Sequence, residues 1–150
     1  VKSSSPKGRF QVRVLVGPLI MEESIRAAVI IQKDNMFLLV QEATPVIYGL
    51  WNWQQGKVEE GEKIEQTAIR EAKEETGFDI VIKRKVVTID HPFIGTKETH
   101  VFLGEITGGE LKILEGEILQ AKWFTLSEIE TIKDQMPGPW VYDTIRQLSK

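Results

Sequence analysis

The chain has 150 residues, a formal net charge of −3 from 19 basic and 22 acidic side chains, and no cysteine. This length suits one domain with a proper core, and the lack of cysteine excludes disulfides, thiolate metal sites and thiol nucleophiles. The acidic balance argues against long nucleic acids and anionic membranes as partners, because both need a basic face. No apolar run approaches membrane-spanning length and no signal peptide is visible, so we expect a cytoplasmic monomer or homodimer.

The first third of the chain predicts a tail and three strands. Residues 1–9 are polar and predict a disordered tail, after which one domain spans 10–150. Alternating apolar residues over 10–16 predict a strand that joins the sheet or a dimer contact. The apolar runs 25–32 and 36–41 predict two buried strands joined by a tight turn.

The middle of the chain predicts a loop at 42–49, a short aromatic strand at 50–54 and a second loop at 55–61. Residues 63–76 predict a helix, which Gly77 ends in the left-handed conformation.

The second half predicts three more strands and two helices. These are strands at 78–90, 100–107 and 121–125, a loop at 91–99, a connection at 111–120, a helix capped by Ser127 that runs to about Asp134, and a last helix at 140–148. Strands that alternate irregularly with two or three helices predict an α/β fold with a mixed sheet and helices on both faces.

The helix at 63–76 carries an unusual charge pattern. Glu71, Glu74 and Glu75 are spaced i, i+3 and i+4, so they share one face and repel each other near the helix C-terminus. The apolar residues Ala68, Ile69 and Ala72 lie next to that face, so the carboxylates should border the core. A hard cation such as Mg²⁺ or Ca²⁺ would offset the repulsion, and the pattern therefore indicates a metal-dependent enzyme.

The residues around this helix match a known signature at every defined position: Gly56, Glu62, Arg70, Glu71, Ala72, Glu74, Glu75, Gly77 and Phe78. In this respect the chain resembles the Nudix hydrolase family, of the MutT-like kind. The resemblance implies an α/β/α sandwich and hydrolysis of a diphosphate linkage in a nucleoside diphosphate derivative.

The resemblance also implies roles for individual residues. Glu71, Glu74 and Glu75 correspond to ligands of Mg²⁺ or Mn²⁺, and Arg70 to the arginine that orients them. Glu62 corresponds to an accessory metal carboxylate, and Gly56 to a residue of the metal site that also permits a sharp turn.

One departure concerns the two residues before Gly56. Many members have Pro-Gly-Gly where this chain has Gln54-Gln55-Gly56, so the backbone carbonyl of Gln55 takes the place of a glycine carbonyl as metal ligand. The family commonly adds a late acidic residue as ligand or general base. Glu117 is the candidate, and Glu115 is the alternative.

Substrate contacts are weaker predictions. Trp51, Trp53 and Phe93 are aromatic residues that can stack on a base, although aromatic residues also dominate cores. Arg26 and Lys57 can contact phosphate, although both also fit surface charge.

The leading interpretation is a MutT-like nucleoside triphosphate pyrophosphohydrolase that releases monophosphate and pyrophosphate. Alternative hydrolase substrates are diadenosine polyphosphates, ADP-ribose or another nucleotide sugar, and an RNA 5′ end. A non-catalytic nucleotide-binding module on the same fold is a further alternative. Isoprenoid diphosphate isomerisation is disfavoured, because in the family it relies on a cysteine.

Overall fold

The computed structural model describes residues 11–16 and 19–148, in which eight strands form one mixed sheet. The strands are β1 Gln11–Val16, β2 Leu19–Lys33, β3 Met36–Glu42, β4 Trp51–Asn52, β5 Gln54–Lys57, β6 Phe78–Phe93, β7 Thr96–Gly109 and β8 Ile118–Thr125. Strands β2 and β7 run parallel, whereas the other pairs are antiparallel. The mixed sheet predicted from the sequence is confirmed.

Three α-helices cover the two faces of this sheet: α1 Ile64–Thr76, α2 Leu126–Thr131 and α3 Pro139–Leu148. Successive residues of β2 point to opposite faces, and this alternation builds two cores. Ala27 and Val29 pack with α1 residues, whereas Ala28 and Ile30 pack with residues of α2 and α3. The α/β/α sandwich is therefore confirmed.

The helix α1 closely follows its prediction. The backbone N–H of Lys63, the N-cap residue, donates to Gln66 Oε1 at 2.9 Å. Gly77 ends the helix with φ 84°, and its N–H donates to the Lys73 carbonyl at 2.9 Å. Ala68 and Ala72 are buried as expected, but Ile69 is 37% exposed. The placement of Ile69 on the apolar face was wrong, because the buried face centres on positions 68, 72, 75 and 76.

Two predicted loops contain strand in the structure. The loop expected at 91–99 is instead the turn of a hairpin, with β6 extending to Phe93 and β7 beginning at Thr96. A register shift between Asp90 and Phe93 leaves His91 and Pro92 out of the pairing, and Gly95 supplies the left-handed turn conformation with φ 85°. The expected loop at 55–61 begins with β5, which pairs with β2 through Lys57.

Further differences are smaller. The strand expected at 121–125 begins at Ile118, and the helix expected to run to about Asp134 ends at Thr131. The expected strand at 50–54 is split, since β4 pairs with β3 and β5 pairs with β2. The N-cap of α2 is Thr125 rather than Ser127, because Thr125 Oγ1 accepts the N–H of Glu128 at 3.2 Å. Pro45–Ile47 and Lys133–Gln135 form 3₁₀ turns.

The tail predicted over residues 1–9 lies outside the described residues, and the single domain over 10–150 stays a prediction. In the part of the chain that is described, no helix is long and apolar enough to cross a membrane.

Candidate active site

The strand β5 and the helix α1 meet at Gly56 and Glu71. Gly56 is paired with Ala27 of β2, so its backbone position is fixed by the sheet. A Cβ atom at Gly56 would lie 2.1 Å from both Cδ and Oε2 of Glu71. Glycine at position 56 therefore allows the Glu71 carboxylate to pack directly against the strand backbone.

Arg70 holds the acidic residues around it in fixed positions. Its Nε lies 2.6 Å from Glu62 Oε2, and its Nη1 lies 2.8 Å from Glu71 Oε2 and 3.3 Å from Glu74 Oε2. Its Nη2 donates to the Lys57 carbonyl at 3.2 Å, which ties the helix to the end of β5. The planar guanidinium can serve all four partners at once, as a lysine ammonium could not.

The closest of these contacts is the one with Glu62. Hydrogen bonds from Arg70 lower the pKa of Glu62 to about 2, despite some burial, and Thr67 Oγ1 adds a further hydrogen bond at 2.7 Å. The same pairing raises the pKa of Arg70. Glu62 is thus held as an anion that positions Arg70.

Glu71 and Glu75 form a carboxylate pair at the inner end of this network. Burial raises the pKa of both side chains. For Glu75, the charges of Glu71 and Glu42 raise the pKa further. The backbone of Gln55 acts in the opposite direction and lowers the pKa of Glu75. Glu75 Oε1 is buried and has no hydrogen-bond partner, so a buried acceptor is left for a donor or a cation, since unpartnered buried oxygens are costly.

Glu42 is a fifth acidic residue of the site, and it was not predicted from the sequence. Glu42 ends β3, is only 8% exposed and accepts a hydrogen bond from Asn52 Nδ2 at 3.2 Å. Burial raises the pKa of Glu42 to about 7, against the lowering effects of Asn52 and Arg26. An acidic residue directly after a run of buried strand residues was the signal in the sequence, but polar strand ends are too common for that signal to stand alone.

Arg26 faces this group of carboxylates from β2. Burial lowers the pKa of Arg26, while the charges of Glu71, Glu75 and Glu42 act in the opposite direction. Arg26 is thus a second cation, besides Arg70, that interacts electrostatically with the inner carboxylates, and a guanidinium in this position suits phosphate binding.

The two late acidic candidates lie on different sides of the site. The carbonyl of Glu117 accepts the N–H of Ala43, so Glu117 lies beside Glu42, and its charge contributes to raising the pKa of Glu42. Glu115 instead lines an open groove with Glu74, Lys73 and Lys112. Both side chains are exposed.

Arg26 also lines a small cleft. It is lined by polar side chains of the sheet and by aromatic and proline residues of the surrounding segments: Arg26, Asn52, Gln55, Thr96, Thr99, Ile47, Pro92, Phe93, Pro137 and Trp140. Phe93 was predicted as a substrate contact and lies in this cleft, with 42% of its surface exposed. Asn52 and Trp140 were not predicted.

Trp51 and Trp53 lie elsewhere. They are 6% and 1% exposed, and both belong to the core beneath α2 and α3. Trp51 packs edge-on against Phe124, with ring centroids 5.0 Å apart. The expectation that these two rings stack on substrate is corrected, because their faces are used in packing.

Lys57, the other basic residue predicted to contact phosphate, lies on β5. It is exposed and is the cross-strand partner of Arg26 on β2.

The comparison with known proteins agrees with this geometry. The family model described as NUDIX domain matches residues 23–144. The chain belongs to the NUDIX domain family. A solved NUDIX hydrolase from Nitrosomonas europaea has 26% sequence identity and a TM-score of 0.75, covering 85% of this chain and 88% of that one.

Curated relatives within the NUDIX family differ in what their names state. An ADP-ribose pyrophosphatase of Methanocaldococcus jannaschii is 31% identical over 114 residues, which are 74% of this chain and 67% of that protein. An oxidized purine nucleoside triphosphate hydrolase of Mus musculus is 38% identical over 84 residues, which are 54% of this chain. The chain spans 53% of the mouse protein's length and 32% of that of a relative from Caenorhabditis elegans.

The acidic side chains of this NUDIX site suit a hard divalent cation. Every side-chain donor in the group is a carboxylate oxygen, Glu75 Oε1 has no partner, and Gly56 leaves space that Glu71 fills. Among the described residues, no group of three acidic or histidine side chains is arranged to hold a metal ion as placed, and Arg70 engages oxygens of Glu71 and Glu74. The carboxylate donors fit a hard divalent cation, and Arg70 holds two of them in their present orientation.

Proposed function

We propose that the chain is a divalent-metal-dependent nucleoside triphosphate pyrophosphohydrolase that releases a nucleoside monophosphate and pyrophosphate. The observation that carries this proposal is the buried Glu71–Glu75 pair, which has an unpartnered oxygen and faces Arg26. A polyanionic substrate requires cations at such a place, because the phosphates and the carboxylates would otherwise repel each other.

The residues of α1 and β5 would bind the cation. Glu71, Glu74 and Glu75 would hold Mg²⁺ or Mn²⁺, together with the backbone carbonyl of Gln55, and Glu62 keeps Arg70 in place. The cation, when bound, neutralises phosphate charge and lowers the pKa of a coordinated water.

Two charged residues act on either side of the diphosphate. Arg26 binds a phosphate from the cleft side. Glu117, exposed beside Glu42, is the proposed final metal ligand or the base that accepts the proton of the attacking water.

The test is a panel of nucleotides incubated with Mg²⁺ or Mn²⁺, with phosphate, pyrophosphate and nucleotide products measured separately. We expect pyrophosphate and a monophosphate from a nucleoside triphosphate. Glu74→Gln and Glu75→Gln should each abolish turnover with the fold intact by circular dichroism. Glu65→Gln is the matched control, since Glu65 is exposed in the first turn of the same helix. Wild-type turnover in either Glu74→Gln or Glu75→Gln would contradict the metal site.

A second candidate is hydrolysis of a nucleoside diphosphate derivative with a larger leaving group, such as ADP-ribose. The observation in its favour is the groove beyond Glu74, where Lys73 and Lys112 could contact a second moiety. The archaeal relative is named as an ADP-ribose pyrophosphatase. In the same panel, release of AMP and ribose phosphate from ADP-ribose at a higher kcat/KM than any triphosphate would favour this candidate.

The remaining alternative is a module that binds nucleotides without cleaving them. Nucleotide binding with Mg²⁺ and no product from any member of the panel would support that alternative.

A further inference from the structure

A fully buried glutamine in β5 lies two residues before Gly56. Gln54 is 0% exposed, and its Nε2 donates to the carbonyl of Leu38 on β3 at 3.2 Å. A backbone carbonyl only accepts hydrogen bonds, so the amide nitrogen of Gln54 must face Leu38 and Oε1 is the other end of the side chain. Gln54 thus ties β5 to β3 with its nitrogen, while its oxygen is buried and has no hydrogen-bond partner.

The alternation of β5 places this side chain beneath α1. Gly56 faces the helix, since a Cβ atom there would meet Glu71, and every second residue of a strand faces the same side. Gln54 therefore faces α1 as well, and its partner on β2, Val29, belongs to the core under that helix. Gln55, between them, lines the small cleft on the other face.

The spacing of helix and strand brings Glu75 over Gln54. The four helical residues from Glu71 to Glu75 rise about 6 Å. The two strand residues from Gly56 back to Gln54 cover about 7 Å. The direction of this match is fixed by Gln55, whose backbone acts on Glu75. Glu75 therefore lies over the part of β5 that holds Gln54.

Two unpartnered oxygens occupy this region. Among the described residues, the buried side-chain polar atoms that lack a hydrogen-bond partner are Gln54 Oε1 and Glu75 Oε1. Unpaired buried oxygens are costly. The carboxylate oxygen suits a direct bond to a hard cation. The amide oxygen, fully buried beneath it, suits a hydrogen bond from a water that the cation keeps, since Mg²⁺ retains several waters and a bound water offers its hydrogens.

We propose that Gln54 is a positioning residue of the cation site, and that its amide oxygen accepts a hydrogen bond from a water carried by the cation at Glu75. The bond from its nitrogen to Leu38 holds the oxygen in that direction. Outer partners of this kind orient the groups around a metal ion and tune its affinity. This inference rests on the proposed function only in taking α1 to hold a divalent cation.

The first experiment measures cation binding without turnover. The full chain is titrated with Mn²⁺ in the absence of nucleotide, and the free ion is measured by electron paramagnetic resonance. Gln54→Met keeps an unbranched side chain but removes the amide. We expect the Kd for Mn²⁺ to rise about tenfold, the lower end of the range for loss of an outer partner. An unchanged Kd would overturn the proposal.

The matched control is Gln41→Met on β3. Gln41 Nε2 also donates to a backbone carbonyl, that of Gly49, at 3.0 Å, but its Oε1 accepts a hydrogen bond from Gln120 at 2.9 Å. Gln41→Met should therefore bind Mn²⁺ with wild-type affinity. An equal rise of the Kd in both methionine variants would indicate a general effect of lost hydrogen bonds, and the positioning role would be wrong.

A second variant separates the oxygen of Gln54 from its nitrogen. Gln54→Glu keeps an acceptor oxygen but loses the donor to Leu38. If Gln54 served only to tie β5 to β3, Gln54→Met and Gln54→Glu would weaken Mn²⁺ binding equally. We expect Gln54→Glu to match or exceed the wild-type affinity, and weaker binding would overturn the proposal. This comparison with the wild type remains decisive if Gln54→Met does not fold.

Failure of this inference can be told apart from failure of the proposed function. A Kd for Mn²⁺ that rises in Glu75→Gln but not in Gln54→Met would overturn the inference and leave the cation site intact. A Kd that rises in both variants, with no product from any nucleotide of the panel, would support the inference and overturn the proposed hydrolase. Absence of Mn²⁺ binding by the wild type would overturn the cation site and the inference with it.

Discussion

Glu75 illustrates the chemistry of the site at the scale of single residues. It is 8% exposed, its pKa is raised by burial and by Glu71, and one of its oxygens has no partner. Such a carboxylate is unfavourable for folding by itself. Glu62 shows the opposite case, because Arg70 stabilises its charge and lowers its pKa to about 2. The carboxylates around Arg70 are thus of two kinds. Glu62 is paired with Arg70 and keeps it in place, whereas Glu75 keeps an oxygen that a cation can bind.

The role of Glu117 is a prediction at this scale. Glu117→Gln should lower kcat at least about tenfold, which is within the usual contribution of a general base or a metal ligand. Glu115→Gln is the comparison variant, since Glu115 lies in the groove beside Glu74 and not beside Glu42. Steady-state kinetics with the best substrate of the panel measure the effect. An unchanged rate in Glu117→Gln together with a loss in Glu115→Gln would move the role to Glu115.

At the scale of elements, the site depends on how closely β5 approaches α1. The pairing of β5 with β2 fixes the strand, and the buried Ala68 and Ala72 seat the helix on the sheet. The gap between them is only wide enough for a residue without a side chain at position 56. The metal-binding face of the helix is therefore set by the packing of a strand against it.

Gly56→Ala tests this close approach. The new methyl group would overlap the Glu71 carboxylate, which must rotate away because the strand backbone is held by β2. We expect turnover to fall by at least about 100-fold, as for misplacement of a reacting group, while the thermal midpoint falls only modestly.

Gly61→Ala serves as the control for a glycine replacement nearby. Gly61 has φ 80° and no atom within 4 Å of an added Cβ, so the change strains the backbone without touching the carboxylates. Full activity in Gly56→Ala, or an equal loss in Gly61→Ala, would argue against the Glu71 contact as the reason for Gly56.

At the scale of the whole molecule, the sandwich concentrates acidic charge between the sheet and α1. The formal net charge is only −3, yet Glu42, Glu71 and Glu75 interact within one buried region. Ligands that bind only the folded state stabilise it by mass action. A bound cation should therefore raise stability as well as permit turnover.

Thermal unfolding with millimolar MgCl₂ against EDTA tests this coupling, with NaCl matching the ionic strength. We expect Mg²⁺ to raise the wild-type midpoint by several degrees, given about 2–4 °C per kcal/mol at this size. Glu75→Gln should remove the Mg²⁺ effect and raise the EDTA midpoint at pH 8, because a buried carboxylate that costs free energy when ionised is replaced by a neutral amide. An equal Mg²⁺ shift in the variant would place the cation elsewhere.

The sequence by itself determined the family, the mixed sheet, the bounds of α1 and the acidic face, because these depend on local periodicity, on a glycine cap and on residues a fixed number of positions apart. The tertiary structure decided what distant segments do together. Glu42, Asn52 and Trp140 come from separate elements, and only the sheet topology brings the first two beside Arg26 and the third into the same cleft. The same topology assigned Trp51 and Trp53 to the core, since aromatic residues in a strand look alike in sequence whether their rings face a cleft or a helix.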